Sequence, residues 1–173
     1  KANNLLNAKN FVGAIAAYNE ILKANPSNGT AQLRLGVAYA QAGDLAKAEE
    51  AYLAAAANGQ EKAANKQLAN MYLREAQSAL KGQKYAEAYD AAMKSNGYVE
   101  SGNALYFAGM SAQKLGQDAK ANEAFEQFLA VAPNDKKADD IRCTLAVSYQ
   151  KAGDKAKAIE FYQKILTNPK YAE

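Results

Sequence analysis

The chain has 173 residues, of which 49% are apolar and 23% are charged, and its formal net charge is +3. It contains no histidine and one cysteine, so it lacks the commonest general base and metal ligand and has no internal disulfide. The small net charge argues against a nucleic-acid binder, and no apolar run approaches the roughly 18 residues that a membrane-spanning helix needs.

In chain order, the sequence predicts a succession of helix pairs. The second helix of each pair carries an alanine followed four residues later by an aromatic residue, with one weaker copy. The copies are Ala14/Tyr18, Ala48/Tyr52, Ala88/Ala92 (the weaker one), Ala121/Phe125 and Ala158/Tyr162. The alanines are 34, 40, 33 and 37 residues apart. A merely alanine-rich helix would not keep this spacing, so one structural unit is repeated along the chain.

Turn residues separate these predicted helices at regular places. Glycines mark the turn inside the pairs, at Gly43, Gly82, Gly116 and Gly153. Glycine tolerates the left-handed backbone that ends a helix, and Asp44 or Asp154 can cap the next helix. Prolines follow the second helices at Pro26, Pro133 and Pro169, where proline is favoured because it cannot continue a helix.

With these motifs, the chain resembles the tetratricopeptide repeat family. The resemblance rests on Leu35-Gly36-x-x-Tyr39 and Leu145-Ala146-x-x-Tyr149 in first helices, and on the alanine–aromatic pairs and prolines of second helices. It implies an all-α fold, a right-handed α-solenoid of about five helix-turn-helix repeats in a single domain over residues 1–173. The expected repeats are roughly 1–28 (partial), 29–60, 61–98, 99–134 and 135–170.

The chain departs from the family pattern in three ways. The usual first-helix tryptophan is replaced in four repeats, by Gln32, Tyr72, Leu105 and Arg142. The 40-residue interval predicts a lengthened helix through residues 61–82. The 37-residue interval predicts about three extra residues in the loop around 132–140.

The repeated aromatic residues are expected to pack between helices. Their spacing is the packing spacing, which predicts core positions for Tyr39, Tyr52, Tyr149 and either Phe161 or Tyr162. Neither end shows a complete polar capping helix, which solenoids normally need. We therefore expect either a piece of a longer protein or an open end that pairs with another molecule.

The resemblance implies that first helices line a concave groove in which a peptide lies. On four first helices, residues at i, i+3 and i+7 form a line on one face. These candidate binding residues are Arg34, Val37 and Gln41; Arg74, Gln77 and Lys81; Phe107, Met110 and Lys114; and Thr144, Val147 and Lys151. Such a groove suits a peptide with apolar anchors and with acidic or C-terminal carboxylate groups. The alternative is that the lysines form a solvated rim and that Met110 belongs to the core.

The sequence also argues against an enzyme. The carboxylate clusters fall on second-helix faces or in a loop, where charge is usually solvated; they are Glu49-Glu50, Glu123 with Glu126, and Asp139-Asp140. No phosphate-binding or dinucleotide motif is present, and Cys143 has no histidine to serve as its base. No cofactor or metal is expected.

The favoured function is a non-enzymatic scaffold that binds a peptide or partner segment in its concave groove. One alternative is a structural assembly component, of a bacterial cell envelope or secretion machinery, that associates through its open ends. Another is an accessory module of a longer protein, and the start KANNLL suggests a trimmed or processed chain. The lack of disulfides is compatible with the cytoplasm and with a bacterial periplasm.

Overall fold

The computed structural model describes residues 1–167, in which all regular structure is helical. The helices are α1 (Ala2–Asn7), α2 (Phe11–Ala24), α3 (Gly29–Ala42), α4 (Leu45–Ala55), α5 (Glu61–Lys81), α6 (Tyr85–Tyr98), α7 (Gly102–Lys114), α8 (Asp118–Val131), α9 (Ala138–Lys151) and α10 (Lys155–Leu166). The predicted all-α helical-repeat fold is therefore confirmed.

The helices group into two compact units, whose boundary lies inside α5. The N-terminal unit is Lys1–Tyr72, and the C-terminal unit runs from Leu73 onward. In the N-terminal unit α1 packs on α2, α2 on α3 and α3 on α4; in the C-terminal unit α6 to α10 pack in the same sequential way. A single domain over the whole chain stays a prediction.

Helix and loop lengths follow the intervals between the anchor alanines. The helix α5 has 21 residues, whereas α3 and α6 have 14 each. Between α8 and α9 the connection covers residues 132–137, longer than the connection 25–28 between α2 and α3. The lengthened helix is confirmed. The loop is longer by two residues, rather than by the three that the interval predicted.

Two hairpins share one turn geometry. Gly43 and Gly153 have φ angles of 89° and 82°, a left-handed backbone that costs other residues free energy. The carboxylates of Asp44 and Asp154 then accept the backbone N–H three residues later, each at 3.1 Å. These two predicted caps are confirmed.

Each of these aspartates accepts the backbone N–H of a lysine, and the side chain of that lysine reaches back to the first helix of the same hairpin. Lys47 Nζ lies 5.6 Å from the centre of the Tyr39 ring, and Lys157 Nζ lies 4.5 Å from that of Tyr149. The hydrogen bond from the Lys47 backbone N–H, with the lysine's ammonium group beside it, holds the pKa of Asp44 below its usual range. This shared arrangement explains why segments 39–47 and 149–157 are nearly the same sequence.

The turn between α5 and α6 differs from the prediction. The left-handed residue there is Gln83 (φ 59°), whereas Gly82 has no positive φ. In each hairpin the left-handed residue directly precedes the N-cap of the second helix, which here is Lys84. Gly82 lies one residue too early. In the α7–α8 turn, Gly116 (φ 69°) has the predicted conformation.

Polar residues at the family's tryptophan position bind the proline turns. Pro26 and Pro133 follow the ends of α2 and α8 as predicted, while Pro169 lies outside the described residues. Gln32 Nε2 donates to the Pro26 carbonyl at 2.7 Å, and Arg142 Nη2 donates to that of Pro133 at 2.9 Å. These hydrogen bonds connect a first helix to the turn before it.

The core is built from the anchor residues. Ala14, Ala48, Ala88, Ala121 and Ala158 are each at most 4% exposed. Of the two candidate aromatics in α10, Phe161 is 7% exposed and Tyr162 is 37% exposed. The Phe161 ring stacks on Tyr149, with 6.0 Å between ring centres. Phe161 is therefore the core residue.

Two first-helix glycines allow close contact with a buried ring. A Cβ on Gly36 would lie 2.5 Å from the ring of Tyr52, and one on Gly109 would lie 2.4 Å from that of Phe125. Both rings are 2% exposed. Helix α3 packs on α4, and α7 on α8, at distances that a side chain would not permit.

Candidate functional site

None of the twelve predicted binding residues is buried in the structure. On α3, Arg34 and Gln41 are exposed, while Val37 is half-buried against the core of the N-terminal unit. The three residues on α5, Arg74, Gln77 and Lys81, are all exposed. These two helices offer accessible polar side chains.

The predicted line on α7 divides between core and surface. Met110 is half-buried and packs against the core of the C-terminal unit, as one of the two interpretations of this residue required. Phe107 is half-buried beside Tyr106, with 6.2 Å between ring centres. Lys114 is exposed.

The line on α9 opens on a cleft. Thr144, Val147 and Lys151 form one wall of a cleft of about 340 Å³, within the C-terminal unit. The opposite wall comes from α8, and Gln113 at the end of α7 completes it. This predicted line therefore faces a concavity whose walls are partly apolar and partly polar, within the described residues.

The cleft has an apolar base with an exposed apolar residue above it. Ala121 and Phe125 on α8 are 3% and 2% exposed. Val147 on α9 is 42% exposed. A ligand that covers Val147 would gain the free energy of removing its exposed apolar surface from water, whereas Phe125 is already buried.

Asn122 is the most unusual polar residue of the cleft. It is only 8% exposed and lines the cleft from α8. Over residues 1–167, its side-chain amide makes no hydrogen bond. The amide of Gln32, 9% exposed, instead has two partners: it donates to Pro26 and accepts from Asn58 at 3.0 Å. In residues 1–167 the fully buried side-chain polar atom without a partner is Ser111 Oγ, so the Asn122 amide is still open to the solvent of the cleft.

The ionisable groups of the cleft balance one another. Asp118 and Lys151 both line it, one negative and one positive. Burial, with smaller contributions from Asp140 and Asp139, raises the pKa of the Cys143 thiol. Near neutral pH, less of this thiol is therefore the reactive thiolate than in an ordinary cysteine.

The carboxylates considered for catalysis take part in structural bonds. Glu49 accepts a hydrogen bond from the Tyr72 hydroxyl at 2.6 Å. Glu126 accepts one from Tyr149 at 2.5 Å and pairs with Lys157 at 3.2 Å. Burial, together with the Glu126 bond, raises the pKa of Tyr149, so its hydroxyl stays protonated and donates. Each tyrosine hydroxyl bond joins a second helix to a later first helix, and the Glu126–Lys157 pair joins two second helices.

Residues 1–167 offer neither a cluster of metal ligands nor a membrane-spanning helix. No group of three or more His, Cys, Asp or Glu side chains there is arranged to hold a metal ion. No helix in the same range is both long enough and apolar enough to cross a membrane.

Sequence reasoning missed Asn122, although a signal was present. Asn122 directly follows the anchor Ala121 and precedes the core residue Phe125 by three positions. Residues three apart share a helix face, so a polar side chain there must face the packed side of α8. The corresponding residues after the other anchors are Ile15, Glu49, Tyr89 and Ile159.

Comparison with known proteins gives one family and one group of similar folds. Two family models, both described as tetratricopeptide repeat, match residues 1–65 and residues 103–135 with 144–170, together more than half of the chain. A crystal structure of MamA is 23% identical over 95% of this chain and 92% of that one, with a TM-score of 0.52. Another MamA structure (AMB-1, P212121) is 20% identical over 100% and 90% of the two chains, with a TM-score of 0.51. No curated protein sequence matches the chain.

Proposed function

The chain belongs to the tetratricopeptide repeat family, and from this premise we propose a non-enzymatic scaffold that binds an extended segment of a partner protein. The proposed site is the cleft between α8 and α9. One observation carries the proposal: the α9 residues Thr144, Val147 and Lys151 line a concavity with a buried apolar base. Concave sites with apolar walls and a few polar groups are the usual form of binding sites.

The composition of the cleft suggests the chemistry of the ligand. A medium-sized apolar side chain would cover Val147, because this residue supplies exposed apolar surface above the buried Phe125. Asp118 offsets the charge of Lys151, so we expect binding here to depend only weakly on salt. A preference for acidic or C-terminal carboxylate groups would have to come from exposed residues such as Lys114.

The remaining predicted residues stay proposed contacts, each within its own unit. In the N-terminal unit these are Arg34, Val37 and Gln41, and in the C-terminal unit they are Arg74, Gln77, Lys81, Phe107, Met110 and Lys114. Their exposed or half-buried side chains remain accessible to a partner. The cleft offers the larger apolar contact, so it is where we expect the main loss of binding on mutation.

We expect Val147→Asp to weaken peptide binding. Random twelve-residue peptides displayed with free and with blocked C-termini are selected on the native chain, and the best is labelled for fluorescence anisotropy. The substitution removes an apolar contact and places a charge in the cleft, so the affinity should fall at least about ten-fold.

The matched control is Val12→Asp, since Val12 is an exposed valine (81%) on α2 in the N-terminal unit. The affinity of Val12→Asp for the selected peptide should equal that of the native chain. Selection of no peptide above background, or equal binding by both variants, would contradict the proposal.

A second candidate function is assembly with another copy through α10. Ile159, Tyr162 and Leu166 are 55%, 37% and 66% exposed, and their i, i+3 and i+7 spacing places them on one helix face. Exposed apolar stripes of this kind are typical of protein interfaces. This face is separate from the cleft and would serve a structural role in assembly.

Self-association predicts a mass that rises with concentration. Sedimentation equilibrium from the micromolar to the millimolar range should show dimers or larger species, and Ile159→Glu/Leu166→Glu should remain monomeric because charge on the stripe opposes burial. A native chain that is monomeric throughout this range contradicts the second candidate.

A further inference from the structure

We propose that the side-chain amide of Asn122 binds the main chain of the ligand peptide. It would donate to a peptide carbonyl and accept from a peptide N–H, so the cleft would recognise extended backbone more than a particular side chain. This inference rests on the proposed function and deepens it by naming the chemical group that is recognised.

Asn122 has no partner of its own within the described residues. The residue is 8% exposed and lines the cleft, and its amide makes no hydrogen bond there. In residues 1–167 the fully buried side-chain polar atom without a partner is Ser111 Oγ, so the Asn122 amide still reaches the solvent of the cleft. A polar group of a ligand that enters the cleft can replace that solvent as its hydrogen-bond partner.

Other side-chain amides of this chain already bind main-chain carbonyl groups. Gln32 donates to the Pro26 carbonyl at 2.7 Å, and Asn58 donates to the Ala54 carbonyl at 2.9 Å. A primary amide has its donor and acceptor side by side. An extended peptide presents its C=O and N–H groups on the same edge, so the two match in geometry.

Asn122 lies where the backbone of a bound peptide would pass. Asn122 and Val147 line the cleft from opposite walls, α8 and α9. A peptide whose side chain covers Val147 therefore has its backbone within the same cleft as the Asn122 amide. The Thr144 hydroxyl, beside Val147 on α9, already donates to the Asp140 carbonyl at 2.9 Å.

The test is a double-mutant cycle between the protein and the ligand. The probe is the peptide selected on the native chain, together with analogues in which one backbone amide at a time is replaced by an ester. The protein variant is Asn122→Leu, which has a similar volume and neither a donor nor an acceptor. We expect Asn122→Leu to lower the affinity about ten-fold, and one ester to lower native binding by a similar factor.

The decisive result is whether the two losses are coupled. If Asn122 binds that peptide group, the ester should lower the affinity of Asn122→Leu by less than about two-fold, because the hydrogen bond is already absent in this variant. A purely structural role for Asn122 would leave the ester penalty unchanged in the variant, and that outcome overturns the inference.

Two further outcomes separate this inference from the proposed function. Binding by Asn122→Leu equal to the native chain overturns the inference, while loss of binding in Val147→Asp still supports the cleft. Failure of the native chain to select any peptide overturns the proposed function itself. Asn122→Ala is measured in parallel and checked by circular dichroism, so that a folding defect in one variant does not decide the result.

Discussion

Gly109→Ala is expected to destabilise the chain by about 2 kcal/mol, although alanine favours helices. The new Cβ would lie 2.4, 2.5 and 2.8 Å from three atoms of the Phe125 ring. Phe125 is 2% exposed and belongs to the core of the C-terminal unit, so the ring has no free space to enter. Helix α7 must therefore move away from α8, and urea unfolding followed by circular dichroism measures the loss.

Gly97→Ala is the matched control for this prediction. Gly97 lies in the last turn of α6, its φ is not positive, and a Cβ there would meet nothing within 4 Å. The helix propensity of alanine should then stabilise the chain slightly, by less than the roughly 1 kcal/mol of a helix interior. The two substitutions are chemically the same, so an equal effect of both would show that the contact between Gly109 and Phe125 is not close.

The same variant has a consequence for binding. Phe125 forms the base of the cleft between α8 and α9, so a displaced ring should also lower the affinity for a selected peptide. Gly97→Ala should leave that affinity unchanged.

Phe161→Ala is expected to lower the free energy of unfolding by about 3 kcal/mol, and Tyr162→Ala to lower it by less than about 1 kcal/mol. Phe161 is 7% exposed and stacks on Tyr149, with an angle of 1° between the ring planes. Its truncation leaves a cavity between α9 and α10. Tyr162 is 37% exposed, and its hydroxyl donates to Gln150 at 3.0 Å on the surface.

Urea unfolding and hydrogen exchange of the α10 amides measure this pair together. The α10 amides should lose protection in Phe161→Ala and keep it in Tyr162→Ala, because end helices of repeat proteins can unfold locally. A larger effect of Tyr162→Ala would mean that the helix presents its other side to the core.

The repeat architecture could be predicted because its signals are local. The spacing of anchor alanines, the Gly-Asp turns and the prolines each act within one hairpin, so they can be recognised without knowing distant contacts. The spacing could not choose between Phe161 and Tyr162. Residues at i+3 and i+4 from Ala158 both lie near the same helix face, and only the packing of α10 on α9 decides between them.

The turn at Gly82 shows a second limit of the sequence. A glycine near a helix end normally indicates the left-handed residue, yet Gln83 takes that conformation here. The backbone hydrogen bond from Lys84 N–H to the Ala79 carbonyl (2.9 Å) closes the turn one residue later than the glycine predicts. The helix end was predictable, but the residue in the strained position was not.

The candidate site was only partly predictable, since it is formed by non-local packing. The i, i+3, i+7 line on α9 is a property of one helix, and the sequence contained it. The opposite wall comes from α8, a second helix, whereas the groove was expected to be lined by first helices. Asn122 lines the cleft because of the way in which α9 packs against α8. The sequence of either helix alone does not predict that packing.

The place of Cys143 gives the cleft a built-in chemical handle. It is the one cysteine of the chain, it is exposed, and it lies in the α9 wall beside Thr144. A photo-activated crosslinker attached through a maleimide would therefore sit at this wall and nowhere else. Illumination would turn a brief encounter with a partner into a covalent product, whose mass and fragments identify the segment that lay there.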